Sequence, residues 1–238
     1  MRDIEGQLIS GKEVVLTSSR GKKISLGKKT RILIMAEESG GATLGSSEWI
    51  FSHTSSKRSL ALKEKDAMQI ALMNLGVMAQ LYLAKGSFAQ LYIDKIEEYD
   101  IQYRYYNRID KKLFDESLTG EARERAKSVG NGAKDFMVEA FRALTEKPSI
   151  TEAQQALGHL MGKENVAPKI EEVFWAGDGT YIDFGDFWFE LRASGTDAVL
   201  RFYIEGKEKA QLNAVNEAFV ALSEAKIEAL SKETGFEL

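Results

Sequence analysis

Cysteine is absent from the 238-residue chain, and proline and histidine occur only twice each. The missing thiols exclude disulfides and thiolate metal sites, and leave the redox compartment open. His53 and His159 stand far apart in sequence, so the paired imidazoles a zinc site favours are not in evidence along the chain. An excess of basic residues is missing too. Thirty-two Lys and Arg are set against 36 Asp and Glu, a formal net charge of −4, which gives no strong positive field for nucleic acid. No stretch is long and apolar enough to span a bilayer, and the start MRDIEGQLIS lacks an apolar targeting core. The expectation is a cytoplasmic protein with neither nucleic acid nor membrane as partner.

What is present suits one large or two small globular domains: 44% hydrophobic and 29% charged residues. EVVL and KKISL flank TSSRG and predict a hairpin. RILIM at 31–35 is a short continuous apolar run and predicts a buried strand, and the Ser-, Thr- and Gly-rich residues 42–59 predict a loop with at most one short strand. From about residue 62 the pattern is helical, with Ala67, Ile70, Ala71, Leu75 and Met78 on a broad apolar face. Residues 88–101 predict a further helix, 102–114 give mixed signals, and 119–146 predict a helix in two parts broken at Gly130 and Gly132.

The last third is cleaner. Ser149 and Glu152 have capping-box spacing, Gly177-Asp178-Gly179 suits a hairpin, and FWFELRA and AVLRFYIEG predict strands before a terminal helix. The organisation expected is an α/β piece at 1–100, a helical connecting region at 101–148, and a small α+β domain at 149–238 with an antiparallel sheet and flanking helices.

Between the two last strands stands R-A-S-G-T-D-A. Gly195 removes a Cβ from a turn, Ser194 and Thr196 supply hydroxyls, and Arg192 and Arg201 supply forked donors from either side. That is the equipment of a phosphate nest. A polar hairpin whose arginines pair with Asp197, Glu190 or Glu205 fits the same spacing. Elsewhere, AEESGG follows a strand, and Glu37 and Ser39 can offer an acceptor and a hydroxyl to a sugar, or form a solvated acidic loop. His53 reads as a surface-loop residue and His159 as structural; Phe184, Phe187, Trp188 and Phe189 read as strand packing. Asp178, Asp183 and Asp186 depart from calcium-loop spacing, so no metal site is expected.

ELRASGTDAVLRFYIEG resembles the phosphate-binding loop in the last domain of the phosphohexomutases, the superfamily of phosphoglucomutases and phosphomannomutases. Its pattern is Arg-Pro-Ser-Gly-Thr-Glu-Pro followed by Arg-x-Tyr. Arg192, Ser194, Gly195, Thr196, Arg201 and Tyr203 match, while Ala193, Asp197 and Ala198 replace Pro, Glu and Pro. AEESGG is similar to the Gly-Glu-x-Ser-Gly sugar loop of the family's third domain, with Glu37 and Ser39 matching and Ala36 in place of Gly. Lys63, Glu64, Lys65 and Asp66 are similar to its Arg-Glu-Lys-Asp helix head.

The resemblance implies an intramolecular phosphotransferase of carbohydrate metabolism, an isomerase moving phosphate between O1 and O6 of glucose or mannose phosphate. It implies magnesium and a hexose bisphosphate activator for the full-length enzyme. Glu37 and Ser39 would hold sugar hydroxyls, and Arg192, Ser194, Gly195, Thr196 and Arg201 the non-reacting phosphate. The family's donor-serine segment, Thr-x-Ser-His-Asn-Pro, and its magnesium loop, Asp-x-Asp-x-Asp-Arg, do not occur in this sequence. The 36 residues before Glu37 are fewer than a whole third domain needs. The expectation is therefore the C-terminal part of a mutase, carrying no catalytic residue and no magnesium ligand. It would be inactive alone, with the missing N-terminal domains supplied in cis or as a separate chain. A non-catalytic sugar-phosphate binding or regulatory module, or a fragment that packs on a partner chain, are the alternatives.

Overall fold

The structure is a computed structural model that describes residues 2–18, 20–32, 34–36, 42–45, 48–59, 67–162, 168–195 and 197–234. It divides into two units, Met1–Asp100 and Ile101–Leu238: an α/β region followed by an α+β domain.

The first unit begins with α1 (Arg2–Ile9) and continues through short strands β1 (Val15–Thr17), β2 (Lys23–Ser25), β3 (Ile34–Ala36), β4 (Ala42–Leu44), β5 (Ile50–Phe51) and β6 (Arg58–Ser59). They pair as three separate antiparallel ribbons, β1–β2, β3–β4 and β5–β6, the first being the hairpin expected around TSSRG. Two expectations fail. Ile34 is 59% exposed, because β3 has β4 as its only strand partner among the described residues and no second layer covers it. Residues 42–59 hold three short strands rather than at most one. Two helices follow, α2 (Ala67–Leu83) and α3 (Phe88–Glu98), bent by 95°. Ser87 caps α3 by accepting the Gln90 N–H at 3.2 Å. Helix α2 contains no charged residue, yet none of its residues is buried, and Leu72 and Leu75 are 62% and 58% exposed. Among the described residues no single helix is long and apolar enough to cross a membrane.

The second unit runs β7 (Tyr105–Lys112), α4 (Gly120–Thr145), α5 (Ile150–Leu160), β8 (Glu172–Trp175), β9 (Gly179–Asp183), β10 (Phe187–Ala193), β11 (Val199–Gly206) and α6 (Lys209–Thr234). Its five strands form one antiparallel sheet in the order β7-β11-β10-β9-β8. Alternation does the sorting. Phe187, Phe189 and Leu191 of β10, with Leu200, Phe202 and Ile204 of β11, face a helical layer and are buried. Helix α4 meets them with Val129, Ala133, Met137, Phe141 and Leu144, and α6 with Leu212 and Phe219. Four aromatics lock this core: Phe189 stands 4.2 Å from Phe219, 5.8 Å from Phe141 and 6.2 Å from Phe202, centroid to centroid.

Residues 101–148, expected as a helical connecting region, contain an edge strand of this sheet and its central covering helix. Strand β7 pairs with β11 along its whole length, from Lys112↔Val199 to Tyr105↔Gly206. Helix α4 is continuous through Gly130 and Gly132. Gly130 marks a close approach: a Cβ there would lie 2.6 Å from the Leu113 carbonyl oxygen. The Ser149 cap holds as expected, its Oγ accepting the Glu152 N–H at 3.3 Å. The Gly-Asp-Gly turn joins β8 to β9, with Gly177 at φ +98°.

Candidate phosphate-binding site

The loop joins β10 and β11, two of the sheet's three inner strands. Its neck is closed by Ser194 N–H donating to the Val199 carbonyl at 2.9 Å, and its far shoulder by Val199 N–H donating to Asp197 O at 2.8 Å. Gly195 is exposed, and a Cβ added there meets nothing within 4 Å. Its φ is not among the left-handed ones, so the turn itself does not demand glycine. Thr196 lies outside the described residues, as do Glu37 and Ser39 of the expected sugar loop and the Lys63–Asp66 stretch.

Arg192 and Arg201 are direct cross-strand partners on the sheet face opposite the helices. Cross-strand neighbours sit about 4.5–5.5 Å apart, a distance at which like charges destabilise a sheet. Both arginines have acidic neighbours, and Glu190 adds to the negative charge around Arg192. Arg192 Nη2 donates to Asp178 Oδ2 at 2.5 Å, and Arg201 Nε lies 3.9 Å from Asp110 Oδ2. The polar-hairpin alternative named Asp197, Glu190 or Glu205; the carboxylate that binds Arg192 is Asp178, from the β8–β9 turn. Burial opposes the charge on Arg192, but Asp178 outweighs it and raises the guanidinium pKa. Even so, the Nε atoms of both arginines are buried without a hydrogen-bond partner. Gly179 makes this geometry possible, since a Cβ there would fall 2.5 Å from Arg192 Cγ.

Further charged residues join this face that the sequence reading did not single out. Arg108 of β7 grips Asp110 with both arms, at 2.7 and 2.8 Å, and holds that carboxyl below its ordinary pKa, with Arg201 adding to the effect. Arg108 and Arg192 lie 5.2 and 5.8 Å from the ring of Tyr203, the tyrosine of the Arg-x-Tyr match, so that ring is a shared platform for two cations. Glu190 is on an inner strand beside this cluster, not at a sheet edge. From α4, Lys134 reaches the loop's carbonyls and Lys127 comes within 3.9 Å of the Asp197 carboxylate. Reading α4 as two pieces conceals Lys134. In one helix it shares a face with Gly130, Ala133 and Met137.

Among the described residues no group of three or more His, Asp or Glu gathers as a metal site. Asp178 is paired with Arg192, Asp183 accepts the Gly185 N–H at 2.8 Å, and Asp186 pairs with Lys207 at 2.8 Å. The donor set therefore does not fit magnesium. Of the aromatics, Phe184, Phe187 and Phe189 are buried, and Trp188 stacks 5.5 Å from Tyr181 on the arginine-bearing face.

An antiparallel sheet layered with helices, with an arginine-flanked loop between β10 and β11, defines an α+β domain. Residues 128–222 match the family described as phosphoglucomutase/phosphomannomutase, C-terminal domain. Strand β7 and Lys127 precede the matched segment. No curated protein matches the chain.

Proposed function

We propose that this chain is the C-terminal part of a phosphohexomutase and holds the non-reacting phosphate of a hexose phosphate while phosphate moves between O1 and O6 of glucose or mannose. The observation that carries the reading is the Arg192–Arg201 pair: the two residues stand opposite each other across β10 and β11, and each has a buried Nε that makes no hydrogen bond. A phosphate between them relieves the repulsion and accepts forked, charge-assisted hydrogen bonds. Ser194, the N–H groups at Gly195 and Thr196, and the Thr196 hydroxyl complete the grip. Glu37 and Ser39 take sugar hydroxyls.

Transfer itself needs a phosphoryl donor and charge neutralisation by magnesium, supplied by the family's donor-serine and Asp-x-Asp-x-Asp-Arg segments. Neither segment occurs in this sequence, so the partner is protein carrying them, in cis or as a second chain. The uncharged α2, none of whose residues is buried, supports further protein covering the first unit, because so apolar a helix is normally buried. A hexose bisphosphate activator belongs to the assembled enzyme.

The reading is tested by following the phosphorus resonance of glucose 6-phosphate as the protein is added, beside a proton titration with glucose. Phosphate-dependent binding is expected, with glucose alone bound at least about 10-fold more weakly, the loss of one charge-assisted anchor. Equal binding of glucose and glucose 6-phosphate contradicts it.

A further inference from the structure

Helix α4 approaches the anion loop more closely than a covering helix has to. A Cβ on Gly130 would lie 2.6 Å from the Leu113 carbonyl oxygen and 3.2 Å from the Ala198 Cβ. One turn further on, the Lys134 ammonium donates to two loop carbonyls, Ser194 O at 3.4 Å and Asp197 O at 3.2 Å. These carbonyls stand on either side of Gly195-Thr196 in the chain. Residues 192–199 contain no proline, so no ring fixes φ there.

A trans peptide is planar, with its C=O and N–H pointing in opposite directions. A Ser194 carbonyl turned to Lys134 therefore turns the Gly195 N–H away from α4, on a residue where an added Cβ would meet nothing within 4 Å. The Asp197 carbonyl does the same for the Ala198 N–H. A cation on the oxygen also polarises the peptide and strengthens the outward N–H as a donor.

We infer that Lys134 is a positioning residue for the anion site: it ties the Ser194 and Asp197 carbonyls to α4 and so aims the loop's N–H groups at the bound phosphate. The inference rests on the phosphate reading above and assigns Lys134 no contact with the ligand. Lys127, at 3.9 Å from the Asp197 carboxylate, adds positive charge nearby without reaching a carbonyl. That makes it the control for a general field effect.

The experiment compares wild type, Lys134→Met, Lys134→Arg and Lys127→Met by titration with glucose 6-phosphate and by amide exchange of the unliganded proteins at Ser194 and Val199. Lys134→Met is expected to weaken binding about 10-fold and to speed exchange at both amides, while Lys134→Arg and Lys127→Met stay within about 3-fold of wild type. Wild-type affinity in Lys134→Met, failure of Lys134→Arg to rescue, or an equal loss in Lys127→Met overturns the inference. Should Lys134→Met fail to fold, Lys134→Gln is read on the same terms. If wild type binds no glucose 6-phosphate, the proposed function fails. The aim at a bound phosphate fails with it, and the exchange rates then decide only the tie of the loop to α4: accelerated in Lys134→Met they uphold it, unchanged they overturn it.

Discussion

Like charges opposite one another on neighbouring strands carry a cost, and the Arg192–Arg201 row meets it with one carboxylate at each flank. Asp178 therefore has two effects: it neutralises Arg192 in the free protein and competes with an arriving anion. The ion pair is partly exposed, with Asp178 62% accessible, so its worth is that of a surface pair, up to about 1 kcal/mol. Asp178→Asn is expected to tighten phosphate binding by about 2- to 5-fold in the titration used for wild type. Weaker binding would mean that Asp178 orients Arg192 rather than competing for it. Asp110 gives a pH signature. Its carboxyl is held below the ordinary value by the Arg108 hydrogen bonds and by the charges of Arg108 and Arg201. A lowered folded-state pKa contributes stability that is fully present above the unfolded value near 3.9 and is lost as pH falls through the folded value. With Asp110 44% exposed, screening limits the effect to below about 1 kcal/mol. Denaturant melts between about pH 2 and 6 should show a shallower acid decline in Asp110→Asn than in wild type. Parallel declines would remove Asp110 from the account.

Among the elements, α4 decides most, and its two central glycines do different work. Gly130 has the Leu113 carbonyl where a Cβ would go, whereas a Cβ on Gly132 would meet only Leu230 Cδ1, at 3.4 Å. Gly130→Ala is expected to destabilise by about 1–3 kcal/mol through overpacking, and Gly132→Ala to be neutral or stabilising by up to about 1 kcal/mol through helix propensity. Urea melts of both variants measure this, and equal effects would contradict the close approach. The same helix shows where sequence is silent. Two glycines two positions apart read as a break, because a local pattern does not say what stands opposite a missing Cβ. Strand β7 escaped for a related reason. Its helix-facing side carries Asn107, Ile109 and Lys111, bonded to α6 through Asn213 and Glu224, so no apolar alternation marks it as a strand. The β8–β9 turn, the Ser149 cap and strands β10 and β11 were legible because glycine position, cap spacing and alternation are local signals. Of the site, Arg192, Ser194, Gly195 and Arg201 stood out because they are adjacent in sequence. Arg108, Asp110, Asp178 and Lys134 did not, because β-register and helix docking bring them there from other elements.

At the scale of the whole molecule, the two units differ in how well they bury themselves. The C-terminal unit has a continuous core between sheet and helices, while among the described residues of the first unit α2 buries nothing and the strands form three separate ribbons. A chain of this kind is expected to bind without turnover. In protein freed of host mutase and given magnesium and hexose bisphosphate, conversion of glucose 1-phosphate should match a buffer control, since no donor-serine or Asp-x-Asp-x-Asp-Arg segment occurs in the sequence. Turnover above that control would refute this part of the account. The central claim, that Arg192 and Arg201 clamp a sugar phosphate, is tested most directly by calorimetric titration of glucose 6-phosphate into wild type and Arg192→Ala. The account predicts a folded variant that binds about 10- to 100-fold more weakly, the loss of one charge-assisted contact of about 1.5–3 kcal/mol. Equal affinities would contradict it and leave Arg192 as nothing more than the ion-pair partner of Asp178.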